Sequence, residues 1–301
     1  MISRVSILLK VLSDIPLIIW KCLVFHRSNK LRLNQVIPAI EFYACLRNAE
    51  FYELNHAEKE VLNILDRVKP ITSPLNMHRI GPEKDSGYLV ADINEVELLL
   101  SGGAGKNIDF EINYANQGCK VHICDPFVRK LPKAHPNVFH HKILLDDNPN
   151  KKIKFPVWNF SELVNNEFFH NSGNKMLKLD VEGSELNLLG TRYIDLGMFN
   201  QIVIEIHNLH LLAVNSSLLK FRMLFQNLLR FHNVIYFNGN NNGFLLNFGE
   251  VFIPEVFEIT LLHKEYFIHN SGHSRSNSSL EPQINNSNRL LIPDVFKLNN
   301  K

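Results

Sequence analysis

The sequence predicts a doubly wound α/β fold built on a mostly parallel, seven-stranded sheet with an antiparallel edge strand, and three observations carry that expectation. From Asp92 onward, short apolar runs alternate with stretches of helical period, and repeated strand–helix units call for parallel strands joined by right-handed crossovers. The apolar run Met176-Leu177-Lys178-Leu179 breaks into a burst of acid and glycine, Asp180-Val-Glu-Gly-Ser-Glu185, and in open α/β sheets ligands sit outside strand ends of that kind. The last segments, Val234–Phe237, Phe244–Phe248 and Phe257–Leu262, read as strands joined by short turns, which places the antiparallel edge there.

Taken in order, the chain opens with Ile2–Phe25, rich in Leu, Ile and Val but interrupted by Lys10, Asp14, Pro16 and Lys21. A spanning helix needs about 20 nearly uncharged residues, and a secretory signal needs an unbroken apolar stretch of about seven or more. Neither fits. Residues 1–30 are expected instead to form a helix that packs on the domain or on a second subunit, or one that lies at a membrane surface with Trp20 and the basic residues at the headgroups. From about Asn34 to Val68 the pattern is helical. Asn55-His-Ala-Glu58 has capping-box spacing, and Val61, Ile64, Leu65 and Val68 fall on one face before Pro70 and Pro74. A turn-rich lead, Arg79–Tyr88, enters a short strand. Strands are then expected at Val96–Leu100, Lys120–Cys124, Val138–Leu145, Met176–Asp180 and Gln201–Ile206, with helices at Asp109–Gln117, Phe160–Phe169, from Glu185, and through Leu218–Leu229. Asn270–Asn288 is rich in Ser and Asn and reads as a mobile tail. The expected organisation is a helical extension over 1–70, a catalytic domain over 71–268 and a tail over 269–301.

Composition narrows the function. With 301 residues, 45% of them hydrophobic and 10% aromatic, the chain can bury a sizeable core. Its 32 basic and 30 acidic residues leave a net charge of +2, so no broad basic field favours nucleic acid. Four cysteines without metal-ligand or disulfide spacing suit a reducing, cytoplasmic setting. The histidines scatter without metal-ligand spacing, so no dedicated metal site is expected.

Two further motifs point to a nucleotide. Leu98-Leu-Leu-Ser-Gly102-Gly-Ala-Gly105 is a strand running into a glycine-rich turn ahead of a helix, where the backbone can approach a ligand closely. About 20 residues on, Lys120-Val-His-Ile-Cys-Asp125 ends in a carboxylate suited to both hydroxyls of a ribose. Glycine turn and acid together suit NAD or S-adenosylmethionine.

Asp180-Val-Glu-Gly-Ser-Glu185 resembles the signature of the FkbM-type methyltransferases. The order of the glycine turn, Asp125 and this hexapeptide, together with Arg79-Ile-Gly-Pro82, Asp85-Ser-Gly-Tyr88, Glu205-Ile-His207 and Phe257–Leu262, is similar to that family over about Arg79–Lys264. The turn, Ser-Gly-Gly-Ala-Gly, lacks the acidic residue that many methyltransferases carry in or just before it. The resemblance implies a Rossmann-like methyltransferase sheet and S-adenosylmethionine as cofactor. The implied acceptor is a hydroxyl on a small molecule or glycan, a carbohydrate or secondary metabolite. Cofactor contacts are then expected from Ser101, Gly102, Gly103, Gly105, Asp125, Asp180 and Glu182, and catalytic roles from His207, Glu205 and Asp180. His207 has the best intrinsic pKa for a base near neutrality, or it orients Glu205 or a loop. Glu182 and Glu185 can equally be residues of a helix N-terminus, and the same carboxylates with His207 can serve a divalent cation. A homodimer, an NAD-dependent oxidoreductase and a non-catalytic binding module are also compatible with the sequence.

Overall fold

A computed structural model of the chain describes residues 51–82, 86–148, 153–165, 173–213, 215–240, 245–248 and 251–268. The segments expected as an N-terminal helix and as a mobile tail lie outside the described residues. Of the helix expected from Asn34, α1 is described over Phe51–Arg67. Val61, Ile64 and Val68 are buried along one stripe of it, as their spacing requires. Asn55 stands inside the helix and so does not cap its start, although its spacing to Glu58 imitates a cap.

A β-hairpin, β1 (Met77–Ile80) and β2 (Tyr88–Ala91), precedes the sheet. The sheet strands are β3 (Val96–Gly102), β4 (Lys120–Cys124), β5 (Val138–His141), β8 (Asn174–Leu179), β9 (Gln201–Ile206), β10 (His232–Gly239) and β13 (Phe257–His263). Between them run α2 (Asp109–Asn116), the short parallel pair β6 (Leu144–Leu145) and β7 (Val157–Trp158), and α3 (Phe160–Val164). After β8 come α4 (Glu185–Gly190), a 3-10 turn at Leu209–Ala213, α5 (Asn215–Phe231), the hairpin β11 (Leu245–Phe248) and β12 (Val251–Pro254), and α6 (Glu265–Ile268).

The sheet is mixed and seven-stranded, in the order β10-β13-β9-β8-β3-β4-β5. The four pairs from β9 to β5 are parallel, and the two pairs that β13 makes, with β9 and β10, are antiparallel. The antiparallel strand is therefore one in from the edge, where the sequence had suggested the edge itself. Burial explains its place: Phe257–Leu262 is buried at every position, which suits a strand paired on both sides, whereas β10 carries Asn233 and Asn238 and takes the outside. The single strand expected over Val138–Leu145 is two. An Ile143 N–H to His141 carbonyl bond (2.9 Å) turns the chain out of the sheet after β5, and β6 pairs with β7.

Alternating residues feed two apolar layers. Leu98, Leu100, Leu177, Leu179, Ile202, Ile204 and Ile206 face the layer holding α1, α4 and α5. Leu99, Met176 and Val203 face α2 and the β1–β2 hairpin. With each such side chain worth about 1.5–3 kcal/mol when buried, this two-sided burial fixes the register, since a slip by one residue would exchange the faces. Among the described residues no helix is long and apolar enough to cross a membrane.

Candidate active site

Neighbouring strands β4, β3, β8 and β9 end side by side at Cys124, Gly102, Leu179 and Ile206, and every site residue expected from the sequence lies at one of these four ends. At the β3 end the chain must turn within hydrogen-bond reach of its neighbours. Gly103 donates its N–H to the Cys124 carbonyl (3.1 Å), and Gly102 accepts from Asp180 N–H (2.9 Å). Gly103 adopts φ +80°, and a Cβ there would sit 1.8 Å from the Asp180 carbonyl oxygen, so no other residue fits. Gly105, at φ +56°, is exposed and faces open space. Ser101 is placed differently from expectation. It is fully buried, and its hydroxyl donates to Glu111 Oε1 at 2.6 Å, beneath the turn.

Asp125 follows β4 and is 7% exposed. One carboxylate oxygen accepts from Ala104 N–H (3.0 Å) and, more weakly, Gly105 N–H (3.4 Å). The other accepts from Phe127 N–H (2.8 Å) and Val128 N–H (3.2 Å). The residue expected to grip a ribose thus also ties the glycine turn to the loop after β4.

The acidic hexapeptide leaves β8. Asp180 stands at the rim, its side chain 25% exposed, and its Oδ2 accepts from the Tyr88 hydroxyl at 3.0 Å. Glu182 has φ +53°, outside the ordinary range for a non-glycine residue, and its side chain is 86% exposed, with a carboxylate oxygen 3.7 Å from His207 Nε2. Gly183 follows at φ +97°, where a Cβ would meet the Asn208 amide at 2.2 Å. Glu185 opens α4, at the helix N-terminus that the sequence allowed for it. It is fully buried, its Oε2 accepting from Gly183 N–H (2.9 Å) and its Oε1 from the backbone N–H of His207 (2.6 Å) and its ring Nδ1 (3.2 Å).

Glu205 lies in β9 and His207 just beyond its end. With Nδ1 held by Glu185, the ring directs Nε2 toward Glu182 (3.7 Å) and Asp180 (4.0 Å). Burial works against the charged ring, but the Glu185 hydrogen bond and charge, with Glu205 and Asp180, outweigh it and raise His207 to about 10. His207 is accordingly an imidazolium at neutral pH and not the free base that its ordinary pKa promised. Glu205 is raised to about 8, first by burial and then by the Asp180 charge. Its cross-strand neighbour on β13 is Glu258, which adds to the shift, while His207 and the Asn240 amide, which donates to Glu205, oppose it. Donor atoms of Asp180, Glu205 and His207 lie within 4.8 Å of one another, close enough to share a divalent cation only if His207 gives up its proton.

Tyr88, from the Asp85-Ser-Gly-Tyr88 motif, also belongs to the site, as do Glu111, Lys178 and Asp146, none of which has a role assigned from sequence. Tyr88 holds Asp180. Glu111, 1% exposed, and Lys178, 3% exposed, form an ion pair at 3.2 Å under the glycine turn. Asp146, 1% exposed, follows β6, accepts from the Ser184 hydroxyl (3.2 Å) and so ties the hexapeptide to the β6 loop. Lysine inside the apolar run of β8, and aspartate directly after Leu144-Leu145, were the available signs: each is a charge where the period demands burial.

Residues 77–232 match the methyltransferase FkbM domain family, which is more than half of the chain. The chain is also 33% identical over 118 residues to a probable methyltransferase-like protein 24 of Rattus norvegicus, a stretch that covers 36% of this chain and 32% of that protein. The match thus spans about a third of the length of that curated relative.

Proposed function

This chain belongs to the FkbM methyltransferase family, and on that footing we propose that it transfers a methyl group from S-adenosylmethionine to a hydroxyl oxygen of a carbohydrate or secondary metabolite. One observation carries the reading: the glycine turn, Asp125, the acidic hexapeptide and the Glu205–His207 pair stand on four adjacent strand ends. Two features fit the cofactor. Gly105 faces open space with no side chain of its own, and the Asp180 carboxylate, partly exposed at the rim, offers a negative charge to a cation.

When bound, S-adenosylmethionine supplies an electrophilic methyl carbon on a cationic sulfur. Gly102, Gly103 and Gly105 take the adenosine side. Asp125 shares its Oδ2 with a ribose hydroxyl, the oxygen whose contact to Gly105 N–H is the longest of its four. Asp180, fixed by Tyr88, faces the reacting centre and orients the acceptor. Orientation alone lowers such a barrier by about 7–11 kcal/mol. The acceptor oxygen would take the methyl carbon as the carbon–sulfur bond breaks, with the electron pair staying on sulfur. The hydroxyl proton passes to the Glu205 carboxylate. Glu205 suits this step because its pKa lies near working pH, and a positioned base contributes about 10²–10⁴-fold. His207 remains charged and holds Asp180 and Glu185 in place.

The test is calorimetric titration with S-adenosylhomocysteine and with NADH, followed by mass spectrometry of hydroxylated glycans and small metabolites incubated with S-adenosylmethionine. Binding of the homocysteine and a product heavier by one CH2 are expected. Binding of NADH alone would overturn the reading.

A further inference from the structure

We propose that Lys178 is a positioning residue for the cofactor turn, clamping the Gly103–Ala104 peptide from its carbonyl side while Asp125 holds the same peptide from its amide side. The functional half of this proposal rests on the reading of the turn as the adenosine site; the clamp itself does not.

Lys178 occupies a place where the strand period demands an apolar residue. It lies in β8 between Leu177 and Leu179, both fully buried, and shares with Met176 the face toward α2. In register it is the cross-strand partner of Ser101 on β3. An ammonium group has three N–H donors and no acceptor. Here it donates to the Gly103 carbonyl at 2.7 Å and meets Glu111 Oε1 at 3.2 Å, and it lies 5.4 Å from the centre of the Tyr88 ring. Ser101 donates to the same Glu111 oxygen, so two neighbouring strands anchor one carboxylate in the first turn of α2.

The Gly103 carbonyl and the Ala104 N–H belong to one planar peptide group. Its oxygen receives Lys178, and its N–H donates to Asp125 Oδ2 at 3.0 Å. Rotation of that plane would therefore break two charge-assisted bonds at once. Glycine alone cannot supply this order, because Gly103 was needed for its closeness to Asp180 and brings conformational freedom with it. Stability is a poor reason for the charge pair, since apolar residues of equal volume commonly replace a buried ion pair without loss. Lys178 also touches the reacting side: the Tyr88 ring beside its ammonium carries the hydroxyl that holds Asp180.

Lys178→Met alone leaves Glu111 buried and uncompensated, so the informative protein is the double variant Lys178→Met/Glu111→Gln, with Glu111→Gln as control. Amide exchange at Ala104 in the unliganded protein should quicken at least about tenfold in the double variant, as expected for losing one charge-assisted bond, and stay near the parent rate in the control. S-adenosylhomocysteine should bind the double variant at least about tenfold more weakly, with kcat at saturating cofactor within about threefold of the parent. Unchanged Ala104 exchange in the folded double variant would overturn the clamp, whatever the affinity. Faster exchange with cofactor affinity within about twofold of the parent would overturn its functional role. Faster exchange in a chain whose parent form binds no S-adenosylhomocysteine would leave the clamp standing and sink the adenosine reading instead.

Discussion

Glu205 lies in β9 and His207 just beyond its end, and burial acts on the two in opposite directions. Burial, reinforced by the Asp180 and Glu258 charges, holds the Glu205 proton up to about 8; for His207 the Glu185 hydrogen bond and charge, with Glu205 and Asp180, overcome burial and hold its proton up to about 10. On the proposed mechanism the active form has Glu205 without its proton and His207 with one. The value of kcat/KM for the cofactor reports the free protein, and it should rise with pH through about 8 and fall above about 10. A rate that climbs steadily to pH 10 would assign the base to His207. Glu205→Gln should lower kcat by about 10²–10⁴-fold while S-adenosylhomocysteine binds within a few-fold of the parent, which single-turnover kinetics and calorimetry separate. Sequence put both residues on the correct strand end. It could not rank them, because the ranking depends on Glu185, 22 residues away, reaching His207 from a buried position.

At the scale of elements, the turn after β3 works through closeness. Gly103→Ala would push a Cβ to 1.8 Å from the Asp180 carbonyl at a φ of +80°. It should destabilise the protein by more than about 1–3 kcal/mol, visible in a thermal melt, and weaken S-adenosylhomocysteine at least about tenfold. Gly105→Ala, with nothing within 4 Å of the added carbon, should cost only the strain of its φ and leave the melt close to the parent. The reverse order of severity would mean that the turn is not held as described. Most elements were legible: β4 and β9 fall where periodicity put them, and α2 within a residue, because apolar runs bounded by turn residues leave little choice. The exceptions have physical causes. Asn55-His-Ala-Glu58 has the spacing of a cap but lies within α1, and local spacing cannot reveal where a helix really starts. Ser101 belongs to the glycine motif by position, but strand alternation turns its hydroxyl to Glu111. Lys178, within the apolar run of β8, received no role from the sequence and is 3% exposed.

At the scale of the described fold, a sheet buried on both faces supplies a rigid frame, and the loops at its strand ends carry several residues of positive φ. Glu182 and Asn208 have positive φ there, and Gly103, Gly105 and Gly183 do as well. Such backbone is held by its surroundings, so a ligand that bridges the four ends should stabilise the fold by linkage. At a hundred times its Kd, S-adenosylhomocysteine should add about 2.7 kcal/mol and raise the melting temperature by several degrees. Asp125→Ala, which removes the acceptor of four backbone N–H groups, should abolish most of that ligand-induced rise and also lower the unliganded melt. Family membership was readable because Asp180–Glu185 and the strand ends around it keep their order along the chain. The acceptor was not, since nothing in the order of motifs encodes the shape of the crevice.

The most direct measurement is a calorimetric titration of the parent chain and of Glu205→Gln with S-adenosylhomocysteine, with NADH as the competitor. Four strand ends that together grip an adenosine predict one-to-one binding of S-adenosylhomocysteine to both proteins, with NADH unable to displace it. Binding of NADH in its place, or no binding of S-adenosylhomocysteine to the folded parent, would contradict the account.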